Sequence, residues 1–85
     1  MFEAVEFIED RERTREQLLG KFSVELDAVA RGRVAREAYL AGGSEDYAWW
    51  VVREEGATLA RWIADSKSDR EFVLDLTTGE LTEIV

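Results

Sequence analysis

The sequence predicts an α+β domain: one or two N-terminal helices packed on a C-terminal four-stranded antiparallel β-meander. Three observations carry this reading. Apolar residues of the first half recur at helical spacing. After the turn-rich stretch GGSED, beginning at Gly42, the pattern changes to short β-rich runs. The connections between those runs are short, which suits strands that pair antiparallel with their chain neighbours. A chain of 85 residues makes one domain, divided into a helical half (1–43) and a sheet (46–85).

The elements follow in order. Val5, Ile8, Leu19, Phe22, Leu26 and Val29 fit one helical stripe, interrupted by the apolar-free block EDRERTREQ from Glu9 to Gln17. That block offers Glu9 with Arg13 and Glu12 with Arg15 as helix-face ion pairs and reads as solvated helical turns. Gly20 is a break, and Ser23 is placed to cap a second helix, VELDAVARGRVAREAYLA, ending at Gly42-Gly43. Its inward stripe is expected to be Leu26, Val29, Ala30, Val34, Ala38 and Ala41. Gly32 costs that helix about 1 kcal/mol relative to alanine unless a neighbour packs close to it. A single helix from Glu3 to Ala41 is the alternative.

Four strands follow: YAWWVV, TLARWIA, REFVLDL and LTEIV, joined by REEGA, DSKSD and TTGE. Gly56 and Gly79 stand where tight hairpins require positive φ. Trp49 and Trp50 are adjacent, so a strand sends them to opposite faces. In the first hairpin Trp49 lies opposite either Arg61 or Trp62, depending on loop length. The alternation of Phe72, Leu74 and Leu76 marks a core face, joined by Tyr47, Trp49, Val51, Leu59 and Ile63. The other face takes some of Trp50, Val52, Trp62, Val73 and Ile84. Two indoles there amount to a sizeable apolar patch, to be covered by helix, by a second copy or by a partner.

Composition bounds the function. There is no cysteine and no histidine, which removes disulfides, thiolate and imidazole metal ligands and the usual catalytic nucleophile–base pairs. No phosphate-binding or dinucleotide-binding glycine motif occurs, and the abundant carboxylates mark no particular pair as catalytic. No cofactor or metal is expected, and no enzymatic activity. The net charge of −8 disfavours nucleic acid and anionic lipid and favours a basic partner. The acidic start MFEAVEFIED does not resemble a signal peptide, and the longest apolar run, Tyr47 to Val52, is too short to span a bilayer; a cytoplasmic, soluble protein is the expectation.

The functional expectation is a small acidic interaction module, an adaptor, inhibitor or assembly subunit. It would bind a protein partner, or itself as a homodimer, through an aromatic sheet face formed by Trp50, Trp62, Arg61, Val52 and Tyr47. Two other classes fit the composition: an acidic decoy mimicking nucleic acid toward a basic protein, as in phage inhibitors, and a small-ligand protein or enzyme with a pocket between helices and sheet.

Overall fold

The computed structural model describes residues 1–75 and 77–84. Among these residues the chain forms strands β1 (Phe2–Glu9) and β2 (Thr14–Phe22), helix α1 (Glu25–Ala41), and strands β3 (Tyr47–Glu54), β4 (Ala60–Asp65), β5 (Glu71–Leu74) and β6 (Leu81–Ile84). The strands make one antiparallel sheet in the order β2-β1-β3-β4-β5-β6. The expected fold is therefore corrected: one helix packs on a six-stranded sheet, and the first part of the expected helical half is a β-hairpin. Leu76, expected on the core face, lies outside the described residues, as does Val85.

The hairpin replaces helix for a readable physical reason. Along β1, Phe2, Ala4 and Ile8 point to one side while Val5 and Phe7 point to the other, so the strand has apolar side chains on both faces. Such a strand belongs inside a sheet, and β1 is flanked by β2 and β3. The charged block read as solvated helix is the turn. Asp10 Oδ1 accepts hydrogen bonds from the Glu12 and Arg13 backbone N–H groups at 2.8 and 2.9 Å, and the Asp10 N–H donates to the Arg13 carbonyl at 3.0 Å. β2 is an edge strand with mostly exposed side chains, the charged Arg15, Glu16 and Lys21 among them, a composition that discourages further pairing. Gly20 stands within β2 beside the Phe22 ring and ends no helix.

Helix α1 starts without the expected Ser23 cap: its N-cap is Val24, with no side-chain hydrogen bond, and Glu25 and Asp27 supply the favourable acidic first turn. It ends at Gly42, with Gly43 at φ 71°. Its buried residues are Ala28, Val29, Gly32 and Ala35. Of the expected inward stripe, Leu26, Ala30, Val34, Ala38 and Ala41 are exposed and Val29 alone is buried. The reason is volume. Two indoles lie under this helix, and a helix can approach them only through its small side chains. A Cβ on Gly32 would stand 2.7 Å from Cζ3 of Trp62.

The core between helix and sheet consists of Ala4, Ala28, Val29, Ala35, Ala48, Trp50, Val52, Trp62 and Ala64. Both buried indoles keep a polar partner: Trp50 Nε1 donates to Glu6 Oε1 at 3.0 Å, and Trp62 Nε1 donates to Glu71 Oε1 at 2.8 Å. Glu71 also accepts from Arg33 Nε on α1 at 2.7 Å, so one carboxylate ties the second indole to the helix above it. Burial pushes the Glu71 carboxyl upward, but the bonds from Arg33 and Trp62 outweigh it and hold the group below its ordinary value.

Candidate functional site

Helix α1 covers one face of the sheet, and no described residue lies over the other. Strand register fixes what that uncovered face carries, because residues directly opposite one another project to the same side. Glu9 pairs with Tyr47, Phe7 with Trp49, and Val5 with Val51 between β1 and β3. Across β3 and β4, Trp49 stands opposite Asp65 and Val51 opposite Ile63. Ile63 pairs with Phe72, and Leu74 pairs with Leu81. Leu18, opposite Val5, extends the surface onto β2.

For β3–β5 the sequence puts Tyr47, Trp49, Val51, Ile63 and Phe72 on one face and Trp50 on the other, as the register has them, but it places the cover on the wrong face. Both hairpin registers are corrected as well: Val52 pairs with Trp62 and Trp50 with Ala64, after a loop from Glu55 to Leu59 in which Gly56 adopts φ 84°. Trp50 and Val52 are 0% exposed and Trp62 is 2% exposed, all beneath α1, so none of the three presents a surface for a partner. Arg61 sits at a β-bulge and turns toward the helix: its Nε donates to Glu25 Oε1 at 2.5 Å, and its guanidinium lies 5.9 Å from the centre of the Phe2 ring. Tyr47 alone of the expected binding residues lies on the uncovered face. Sequence reasoning misses Trp49 and Phe7 as surface residues and does not bring Glu9 and Asp65 beside them. The signal that finds them is the small-residue stripe Ala28, Gly32 and Ala35, which demands the bulkier tryptophan pair beneath the helix and sends Trp49 outward.

The uncovered face organises itself around Trp49. Its indole stacks on Phe7 with ring centres 5.1 Å apart and planes 6° from parallel. Tyr47 packs against the same indole at 5.5 Å, tilted by 33°. These rings shield the sheet so well that Val5 is 1% and Val51 6% exposed, although no second layer lies above them. The aromatic rings themselves remain half-buried. Beside them runs a groove of about 360 Å³ lined by Glu9, Tyr47, Trp49, Ile63, Asp65, Phe72 and Leu81. A larger hollow of about 540 Å³ borders the β1–β2 hairpin, but Arg13, Arg15, Glu16 and Gln17 dominate its lining and give it no apolar anchor comparable to Trp49.

The charges around this face are unbalanced. Arg53 is tied to Glu3 at 3.2 Å and reaches Glu16 at 3.9 Å; Lys21 is tied to Glu55 at 2.6 Å; Arg70 is tied to Glu83 at 3.3 Å. Glu9 and Asp65 have no ion-pair partner among the described residues. Asp65 accepts backbone N–H groups of Lys67 and Ser68 through Oδ1, at 3.0 and 2.9 Å, and the Tyr47 hydroxyl through Oδ2 at 3.1 Å. Arg36 reaches the same corner from the helix side but donates to backbone carbonyls, those of Asp65 at 2.8 Å and of Ser68. Burial, then the bond to Asp65, then the charges of Asp65 and Glu9 push the Tyr47 hydroxyl upward, so it stays protonated as a donor.

Among the described residues, no group of three or more acidic side chains is placed to hold a metal ion, and no helix is long and apolar enough to cross a membrane. No protein-family model, curated protein or solved structure matches this chain.

Proposed function

We propose that this chain is a protein-binding module that engages a basic partner through the sheet face centred on Trp49. The observation that carries the reading is the uncovered aromatic face: Phe7, Tyr47, Trp49, Ile63, Phe72 and Leu81 share one side of the sheet with no layer over them. A contiguous apolar surface of this kind favours association. Trp and Tyr are also the side chains that most often dominate binding energy at interfaces. The absence of histidine and cysteine suits a binding role better than a catalytic one.

Charge supports a basic protein over a second copy as the occupant. Two copies would each bring −8, and the cations along the face are already engaged by neighbouring carboxylates. A basic partner would instead be drawn in by the same field, with an association rate that falls as salt rises.

The test compares the wild-type chain with Trp49→Asp, and with Leu26→Asp on the exposed helix surface, as baits in a lysate of the source cells. Solution mass is measured in parallel. The expected result is a basic protein retained by the wild type and by Leu26→Asp but lost with Trp49→Asp. A stable dimer that Trp49→Asp splits would overturn the reading, because a second copy would then cover the face. Capture indifferent to Trp49 would overturn it too.

A further inference from the structure

The groove beside Trp49 combines three features that recognise one kind of side chain. Its wall is aromatic, built from Tyr47 and Trp49, whose rings pack together at 5.5 Å. Its lining also holds the apolar side chains of Ile63, Phe72 and Leu81. Its acids, Glu9 and Asp65, come from different strands and stand next to the two rings: Glu9 is opposite Tyr47, and Asp65 is opposite Trp49. Neither acid is neutralised by a cation among the described residues. Both exert their charge on the Tyr47 hydroxyl, which places them within electrostatic reach of the same ring.

An aromatic wall attracts a cation through its π face, and a carboxylate beside that wall adds a direct ion pair. A lysine ammonium would satisfy the charge, but its compact, strongly hydrated head gains less from flat rings. A guanidinium is planar, stacks on aromatic faces and offers a fork of donors to a carboxylate, while its methylene stem suits the apolar lining. We propose that the groove formed by Tyr47, Trp49, Glu9 and Asp65 is a pocket for an arginine side chain of the partner protein. This rests on the reading of the Trp49 face as a docking surface and identifies the anchor it takes.

Asp65 is preset for the task. Its Oδ1 is occupied by the turn that follows β4, which fixes the carboxylate, while Tyr47 holds Oδ2 from the open side. An incoming guanidinium would meet an oriented acceptor at no cost in side-chain ordering.

The test uses two probe tripeptides, acetyl-Leu-Arg-Leu-amide and its twin with citrulline, which has the shape of arginine without the charge. Binding is followed by the NMR shifts of the Trp49 indole N–H and the Tyr47 and Ile63 amides of the full chain. The arginine peptide is expected to give saturable shifts at these positions and to bind at least about tenfold more tightly than the citrulline peptide. The double substitution Glu9→Gln with Asp65→Asn should remove that preference, and Asp65→Asn keeps an acceptor for the turn. Retained dispersion of the Trp50 and Trp62 indole signals would show that the variant is folded. Equal binding of the two peptides, or a preference that survives the double substitution, overturns the arginine pocket. So does the absence of shifts at Trp49 with either peptide at millimolar concentration. Each of these outcomes leaves Trp49-dependent partner capture standing if that assay succeeds, so the pocket and the docking face fail separately.

Discussion

Replacing Gly32 with alanine separates two effects of similar size and opposite sign. In an exposed helix the change stabilises by about 1 kcal/mol, because glycine has the greater backbone freedom to lose. Here the new methyl would stand 2.7 Å from Cζ3 and 3.1 Å from Cη2 of Trp62, where carbon atoms prefer roughly 3.5–4.0 Å. The indole is not free to yield: it is 2% exposed, and its Nε1 is held by Glu71 at 2.8 Å. Lifting the helix would strain the Arg33–Glu71 bond beside the same contact. Overpacking of this kind costs about 1–3 kcal/mol, so the expected net effect is a loss of about 1 kcal/mol. For a domain of this size that lowers the melting temperature by about 4–8 °C. Urea unfolding followed by tryptophan emission and far-ultraviolet circular dichroism measures it. A double-mutant cycle adds the decisive comparison: with Trp62→Leu in the background, Gly32→Ala should become neutral or stabilising. Stabilisation by Gly32→Ala in the wild type, the ordinary helix result, would refute the seating of Trp62 beneath this glycine.

Two further predictions concern stability. Trp50→Ala should cost about 3–5 kcal/mol, enough to unfold a domain this small, whereas Trp49→Ala should cost about 1–2 kcal/mol through loss of its stack on Phe7; the reverse ranking in denaturant titrations would mean that the helix covers the other face. The melting temperature should stay nearly level from about pH 6 to 9, since the chain has no histidine, and fall below about pH 4.5. Backbone donors hold the Asp10 and Asp75 carboxyls low, the Lys21 bond does the same for Glu55, and the Arg33 and Trp62 bonds overcome the effect of burial at Glu71. Each of these carboxyls has a lower folded than unfolded value, so its contribution is complete above the ordinary carboxylate range and is lost as pH falls through the folded value. A melting curve that declines from pH 6.5 downward would contradict that assignment.

What the residues disclose before folding differs between the halves of the chain. In the second half, runs such as YAWWVV and REFVL are rich in β-branched and aromatic residues and bounded by turn formers, so their strands are legible. In the first half, Val5 and Ile8 are three apart and Leu19 and Phe22 are three apart, which mimics a helix, while Phe2, Val5 and Phe7 also fit a strand with two apolar faces. The β1–β2 turn contains no glycine, proline or asparagine, and the Asp10 side chain does their work through local hydrogen bonds. The division of aromatic side chains between two faces follows from alternation alone. Which face is covered does not, because the larger apolar residues of the helix, Leu26 and Val34, point outward, and the inward stripe is made of Ala28, Gly32 and Ala35. Trp50, Val52 and Trp62 therefore read as a binding face although the helix hides them, while Tyr47 lies on the open side.

The helix lies mainly over β1, β2 and β3 and reaches Trp62 of β4 and Glu71 of β5, and the sheet extends beyond it through the rest of β5 and β6. On that overhang Val73, Leu81 and Ile84 are exposed, and every residue of β6 is exposed. A hairpin so thinly packed opens at a lower free-energy cost than the whole domain, and its amides should exchange with solvent before those of β1 and β3. Phe72 and Leu81 belong both to this overhang and to the groove beside Trp49. An occupant of the groove would therefore bridge the firm and loose parts of the sheet and slow the opening of β6, so its arrival would register as a change in motion at the sheet edge, three strands from β3.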